Sequence, residues 1–389
     1  MQITSNPGVI IIEGHVQGLS NLRILGKAGI PAIVVDKGDC IAHHSKYCRG
    51  FFRCPEYIEE TFADFLLELC EKENLQGWVL MPSNDHAVYT LARHRPRLET
   101  AFRLLTPPLD TFEKIYDKSR LLALAQQVGV PIPKTAYFET SSPEKIDLQF
   151  PVITKGKKGL TFYKKVGRKA ILSNNIQQLR NNLDKIDQVI SLNGTFTQEI
   201  IPFDGTNKTI SFSAFCVEGQ IKTVWMGVKL REHPLQFGTA TFCESVFEQA
   251  CLDQSIPLLR ALNYTGVCEI EYLRDPRDNQ FKLIEINART WLWVGLAAAC
   301  GVEFPLYVYN HVNGIPSDYP SGYPVGVRWR NFWTDTLFSM QAMLTGKLRI
   351  SDYLKSLQGN GLIDAVRDHD DPKPFWAMTQ MLFSLAKGR

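Results

Sequence analysis

Acidic and amide side chains recur at alternate positions in two neighbouring segments, Glu269-Ile270-Glu271 and Glu285-Ile286-Asn287-Ala288-Arg289. Between them, Asp275-Pro276-Arg277-Asp278-Asn279 is rich in turn-forming residues, so the segments read as the arms of a β-hairpin. Strand side chains alternate faces, which puts Glu285, Asn287 and Arg289 on one face and Ile284, Ile286 and Ala288 on the other. A turn centred near Asp278 predicts Glu271 opposite Glu285 and Glu269 opposite Asn287. Facing carboxylates repel unless a cation lies between them. Oxygen donors without His or Cys suit magnesium or manganese, and a site with few protein ligands leaves coordination positions for phosphate oxygens and water. The competing reading is a solvated hairpin face whose acids point at water.

Two lysines could meet those phosphates. Lys118 opens a predicted helix, and Lys155 ends the strand-like run Phe150-Pro151-Val152-Ile153-Thr154-Lys155 beside a loop containing Gly156 and Gly159. Both positions present an ammonium and backbone N–H groups, although each lysine alone also reads as a surface cation. No GxxxxGK[ST] is present, which excludes a P-loop. Lys229-Leu230-Arg231-Glu232-His233-Pro234, followed by Gly238-Thr239-Ala240, reads as a loop over the phosphate side. Its Arg231 would fork onto a phosphate or a substrate carboxylate, or form a surface ion pair.

Other constellations are weaker. Cys40, His43, His44, Cys48 and Cys54 invite a zinc reading, but their spacing matches no familiar finger. His86 follows Ser83-Asn84-Asp85 at a predicted strand end, where open α/β sheets bind ligands and where the same run could cap a helix. Trp329, Phe332 and Trp333 read as core aromatics rather than a binding box.

The elements that must position these residues fall into three textures. Gly8 to Glu13 is a β-branched strand that turns at Gly14-His15-Val16-Gln17-Gly18 into a helix; strands follow at Ala32 to Val35 and Trp78 to Met81. Strands alternating with helices predict a parallel, doubly wound sheet over residues 1–113. The glycines do not form GxGxxG, so a dinucleotide site there is disfavoured. Residues 114–315 become mixed, with a helix from Lys118 closed by Gly129-Val130-Pro131-Ile132-Pro133 and strands at Thr195 to Ile201, Thr209 to Val217 and Ile221 to Val228, then a helix at Asp253 to Leu262. Residues 316–389 read as an aromatic, helical extension.

Composition bounds the partners. The chain has 389 residues, 43 Lys+Arg against 40 Asp+Glu, and a formal net charge of +3, with no concentrated basic stripe to favour nucleic acid or an anionic membrane. The apolar run after Trp291 stops at Glu303, too short to span a bilayer, and the N-terminal apolar stretch lacks a charged leader. Nine cysteines without a short-loop framework fit reduced thiols and a cytoplasmic protein.

In motif order the sequence resembles the ATP-grasp superfamily of carboxylate–amine ligases, in the D-aspartate ligase-like branch. The resemblance rests on Asp117-Lys118 before its helix, the strand ending at Lys155, Thr197-Gln198-Glu199-Ile200-Ile201-Pro202, and above all Glu271 with Glu285-Ile286-Asn287-Ala288-Arg289; Trp291 and Arg328-Trp329-Arg330 point to the branch. It implies an ATP-grasp fold with an N-terminal Rossmann-like domain, a lid over about 134–201, and a helical C-terminal extension. It further implies that Lys118 and Lys155 hold ATP phosphates, that Gln198, Glu199 and the backbone of Ile201 bind the base at a hinge, and that Asp204 or Asn207 binds the ribose. Glu271, Glu285 and Asn287 would bind magnesium or manganese, with Arg289, Arg231 and Lys229 at the reacting groups. Gly156, where many relatives have Pro, departs from the pattern, as do the extra lysines Lys157, Lys158, Lys164 and Lys165. The implied reaction phosphorylates a carboxylate and joins the resulting acyl phosphate to an amine. Alternatives are a catalytically silent nucleotide sensor or scaffold and a bicarbonate-activating enzyme, the latter disfavoured by the lack of a biotin-attachment motif. The expected partners are small carboxylates and amines, without nucleic acid or membrane, and a homodimer is allowed.

Overall fold

The computed structural model describes residues 7–142, 146–233, 238–358 and 361–387. The first of its sheets is built by β1 (Val9–Ile12), α1 (Val16–Lys27), β2 (Ala32–Asp36), β3 (Cys48–Arg53), α2 (Glu60–Glu73), β4 (Val79–Pro82), α3 (Asp85–Arg93), α4 (Arg95–Leu98) and β5 (Arg103–Leu104). The five strands run parallel in the order β3-β2-β1-β4-β5. All four β1 residues are buried, as expected of a parallel strand covered on both faces. Helix α1 starts so close to the end of β1 that a Cβ at Gly18 would lie 2.0 Å from the Glu13 carbonyl oxygen, so only glycine fits there. Glu13 itself takes φ 73°, a left-handed conformation that a non-glycine residue adopts at a cost of about 1 kcal/mol or more.

Helices α5 (Leu109–Tyr116) and α6 (Lys118–Gln127) lead into a smaller unit with its own sheet, the segment that the resemblance expects to be the lid. Asp117 accepts hydrogen bonds from the Ser119 and Arg120 N–H groups, which fixes the start of α6 and the direction of Lys118. The lid contains β6 (Thr135–Ala136), β7 (Val152–Gly156), α7 (Gly159–Val166), β8 (Ala170–Ser173), α8 (Ile176–Asp187) and β9 (Thr195–Glu199), with an antiparallel sheet in the order β6-β9-β7-β8. Leu179, Leu183 and Ile186 of α8 are buried with Val152 and Phe162 in a core belonging to the lid alone.

The third sheet takes β10 (Thr209–Val217), β11 (Gln220–His233), β12 (Thr239–Ser245), α9 (Gln249–Ala261) on its flank, β13 (Gly266–Arg274) and β14 (Phe281–Asn287). Helices α10 (Val294–Ala299) and α11 (Phe304–Val312) follow, then β15 (Arg328–Arg330), α12 (Phe332–Leu344), α13 (Ile350–Ser356), β16 (Leu362–Asp364) and α14 (Lys373–Lys387). Seven strands line up as β14-β13-β10-β11-β12-β15-β16. The C-terminal region thus supplies three helices and also two short strands, which its aromatic texture had hidden. Trp329 pairs with Cys243 and is 1% exposed, because β15 extends the sheet into the core.

One predicted loop is a strand. Lys229 to His233 continues β11 and pairs with β12, with register shifts around Arg231; Pro234 lies outside the described residues. Charged residues had suggested a break, but a strand with one polar face accommodates them.

Candidate active site

The hairpin has the register that alternation predicts: Glu269 pairs with Asn287 and Glu271 with Glu285, with a bulge just beyond Glu271. Ile270, Ile286 and Ala288 are buried on the opposite face, against Phe212 and Ala214 of β10. This apolar anchoring holds the polar face in one orientation.

Cations meet that face from three elements. Lys118 donates from Nζ to Glu285 Oε2 at 3.1 Å, and Lys229 of β11 donates to Glu271 Oε1 at 2.7 Å. Arg289 forks onto Asp85, with Nε at 2.9 Å and an Nη at 3.0 Å, and also donates to Asn287 Oδ1 at 3.2 Å. Asp85 opens α3, so this fork bridges the parallel sheet to the hairpin across 204 residues of sequence. Lys155 points from β7 into the same region: burial and the neighbouring Lys118 push its pKa down to about 8, against the attraction of Glu285.

The acids respond differently. Lys118 holds Glu285 down to about 2 despite burial. Glu269 is pushed up to about 7 by burial and by repulsion from Glu271, with Lys229 opposing. Its Oε2 accepts from Asn287 at 2.9 Å, while Oε1 has no hydrogen-bond partner among the described residues. Ser211 is near enough to favour the carboxylate slightly yet lies outside hydrogen-bond geometry. An oxygen without a partner on so deeply buried a carboxylate is costly, and a bound cation would remove the cost.

Glu269, which the sequence reading does not place among the metal ligands, lies on the same polar face as Glu271, Glu285 and Asn287. The signal was available, since the same register places Glu269 across from Asn287. Glu271 instead spends an oxygen on Lys229, whose ammonium is held above the ordinary lysine range by Glu271 and Glu269 although burial opposes it.

Other expected site residues are engaged elsewhere. Arg231 faces the C-terminal helices: Nε and an Nη reach Asp335 at 2.7 and 2.8 Å, another reaches Ser356 at 2.7 Å, and the guanidinium covers Phe242. It is an internal clamp, so its assignment to a phosphate or substrate carboxylate is corrected. Asn207 donates its amide hydrogens to the Pro202 and Arg274 carbonyls, and Asp204 caps Thr206 and Asn207, so both side chains hold the hinge loop. Gln198 donates to Thr135 at 3.0 Å. Glu199 accepts from the Gln149 N–H at 2.8 Å and from Arg277 at 2.6 Å, and Ile201 is buried.

The cysteine and histidine cluster does not assemble as a zinc finger. Cys40 is buried under Gly14, whereas His43 and His44 face outward onto the Asp39 carboxylate at 2.8 and 3.2 Å. Asn84 caps α3 by accepting from the Ala87 N–H at 2.8 Å, and burial lowers the pKa of the adjacent His86. Glu13, unremarked in the sequence, is pushed up to about 7 by burial and by Asp36, and it faces the same strand-end space as Asp85 and Arg289. No described helix is long and apolar enough to cross a membrane.

Residues 238–303, which include the hairpin, match the family described as carbamoyl-phosphate synthase L chain, ATP binding domain. The chain is 21% identical over 253 residues to the D-aspartate ligase of Enterococcus faecium (strain Aus0004), a match spanning 62% of this chain and 59% of that protein. In structure it is similar to the L-amino acid ligase from Bacillus licheniformis, with a TM-score of 0.60 and 16% identity over 79% of this chain and 75% of that one. It is also similar to the N5-carboxyaminoimidazole synthetase from Staphylococcus aureus complexed with ADP, with a TM-score of 0.62 and 15% identity over 84% and 82% of the two chains.

Proposed function

We propose that the chain, which has the ATP-grasp fold, is a ligase joining a carboxylate to an amine at the expense of ATP. The carrying observation is the buried Glu269 Oε1, without a partner among the described residues, beside Asn287 and Glu271 on a face that Lys229 and Lys118 also meet. Its donors are all oxygen, which suits magnesium or manganese better than zinc. Glu271, Glu285 and Asn287, with Glu269 on the same face, would hold the ion, which when bound supplies charge neutralisation at phosphate oxygens.

The residues of the chain do the rest. Lys118 and Lys155 neutralise the polyphosphate from the α6 terminus and the lid, and the hinge backbone up to Ile201 takes the base. A substrate carboxylate oxygen attacks the γ-phosphorus in line, the bond to the bridging oxygen breaks, and ADP leaves. Arg289, oriented by Asp85 and Asn287, keeps a fixed positive charge beside the acyl phosphate as it forms. An amine then attacks the acyl carbon, loses a proton, and expels phosphate. The lid excludes water so that the amine is the acceptor. An amino acid or related acid is the favoured carboxylate, given the similarity to the D-aspartate and L-amino acid ligases.

The test is phosphate release by the purified protein with ATP, magnesium and paired panels of acids and amines. Release that needs both partners, with an amide recovered in equal amount, is expected. Tight ATP binding without stimulation by any pair would favour a sensor, and release driven by bicarbonate alone would favour a carboxylating enzyme.

A further inference from the structure

The C-terminal helices carry an apolar surface that the active site does not use. Of sixteen large apolar side chains exposed among the described residues, eight lie between Leu337 and Phe383. Trp333, Leu337, Met340 and Leu344 recur at intervals of four, three and four along α12, so they form one stripe roughly 16 Å long. Its first residue packs against α14, where Trp333 meets Phe375 and Phe383 and donates from its indole N–H to Thr379. Beyond that contact the stripe is open: Leu337 is 62% exposed, Met340 56% and Leu344 88%. Trp376 and Phe383, also exposed, lie seven residues apart on one side of α14 and continue the surface, and Ile350 and Leu354 are exposed on α13.

The charges around this surface are one-sided. Lys347, Arg349, Lys355 and Lys373 are exposed and make no ion pair among the described residues. The acids of the same region are largely consumed within the fold: Asp335 by Arg231, Asp371 by Arg23, Asp368 by Lys27 and Asp364 by Arg330. Only Asp352 and Asp370 remain outward in that stretch. Exposed Trp, Phe and Leu flanked by Lys and Arg complement the boundary between acyl chains and anionic headgroups.

In place of the membrane-free partners that composition predicts, we propose that the α12–α13–α14 extension docks on an anionic lipid bilayer, lying in the interface without crossing it, and so, on the function proposed above, holds the ATP-dependent site at a membrane surface. The apolar stripe inserts at the level of the acyl boundary and the four cations meet lipid phosphates.

The test uses the full chain and sedimentation with vesicles of phosphatidylcholine alone or mixed with phosphatidylglycerol. Binding is expected to the mixed vesicles, weakened by salt, with a blue shift of tryptophan fluorescence. A cation near an anionic surface contributes roughly fivefold in affinity, so Lys347→Gln with Arg349→Gln should weaken binding by roughly 30-fold. Leu337→Ser with Leu344→Ser changes only exposed side chains and should abolish the spectral shift without altering the melting temperature. No vesicle binding, binding indifferent to the leucine pair, or a lipid-free fluorescence change that follows protein concentration would each overturn the proposal, the last by assigning the surface to a second copy.

Discussion

Just past the end of β13, Asp275 is fully buried and accepts from Arg277 at 2.7 Å and from Lys282 at 2.6 Å; a few residues back along the strand, Glu269 is almost as deeply buried and keeps an oxygen with no partner. Asp275 is therefore held below the usual carboxylate range by Arg277 and Lys282 despite burial, whereas Glu269 is pushed up to about 7. The cations divide in the same way. At the turn, the neighbouring Asp275 carboxylate raises Arg277, which also reaches Glu199, while beside Glu285 Lys155, which makes no ion pair among the described residues, is lowered to about 8 by burial and Lys118. Both ends of one hairpin are charged, but the turn end is complete without a ligand and the other end is not. A finished buried network is structural, and an unfinished one is shaped for what it binds.

The difference can be broken at either end. Glu285→Gln and Glu269→Gln should each lower ATP-dependent phosphate release by roughly a hundred- to a thousandfold, the scale of losing a preorganised electrostatic contact. Glu269→Gln should melt no lower than the wild type, because it relieves a buried carboxyl of its repulsion by Glu271. Turnover near wild-type level in either variant would remove the acids from the mechanism. Asp275→Ala should do the reverse, costing about 2 kcal/mol of stability after allowance for the partial exposure of Arg277, while the folded enzyme keeps its turnover. Because Asp275 is depressed in the native state, its contribution is present above the unfolded value near pH 4 and lost as pH falls below it. Acid melts of the wild type should therefore steepen below about pH 4, and those of the variant should be flatter there.

Local pattern carried the hairpin far. Alternation and a turn at Asp278 were enough to pair Glu271 with Glu285 and Glu269 with Asn287, and a helix start was enough to orient Lys118. What the sequence concealed were contacts between distant segments. Arg231 looked available because nothing near it in sequence claims its guanidinium, yet Asp335 does so from 104 residues away. Lys229 looked like a loop cation because charge is a weak guide to strand ends, and its pairing with Glu271 follows only from β11 lying across β10 from β13. The role of Asp85 as the acid that orients Arg289 needed the packing of one sheet against the other. Side chains of β15 and β16 gave no strand signal because three-residue strands are too short for a period to register.

The smallest effect, and the sharpest, is in the pH dependence of the unfinished end. A carboxyl raised in the native state favours the protonated form, so metal-free protein should lose stability as pH rises from about 4.5 to about 7, as Glu269 is forced to ionise in a buried place. Magnesium requires the ionised form, so its apparent affinity should rise about tenfold per pH unit up to about 7 and then level off. Lys155 sets the other limb: above about 8 it loses the charge that meets phosphate, and nucleotide binding should weaken. Calorimetric titration of magnesium and ATP across this range resolves the two limbs. Glu269→Gln should erase the acid limb alone, and Lys155→Arg should move the alkaline limb beyond the measured range because a guanidinium stays charged. Binding that is flat through neutrality in the wild type would mean that Glu269 is not waiting for a cation, and the contrast between the hairpin's two ends would reduce to a difference in hydrogen bonding.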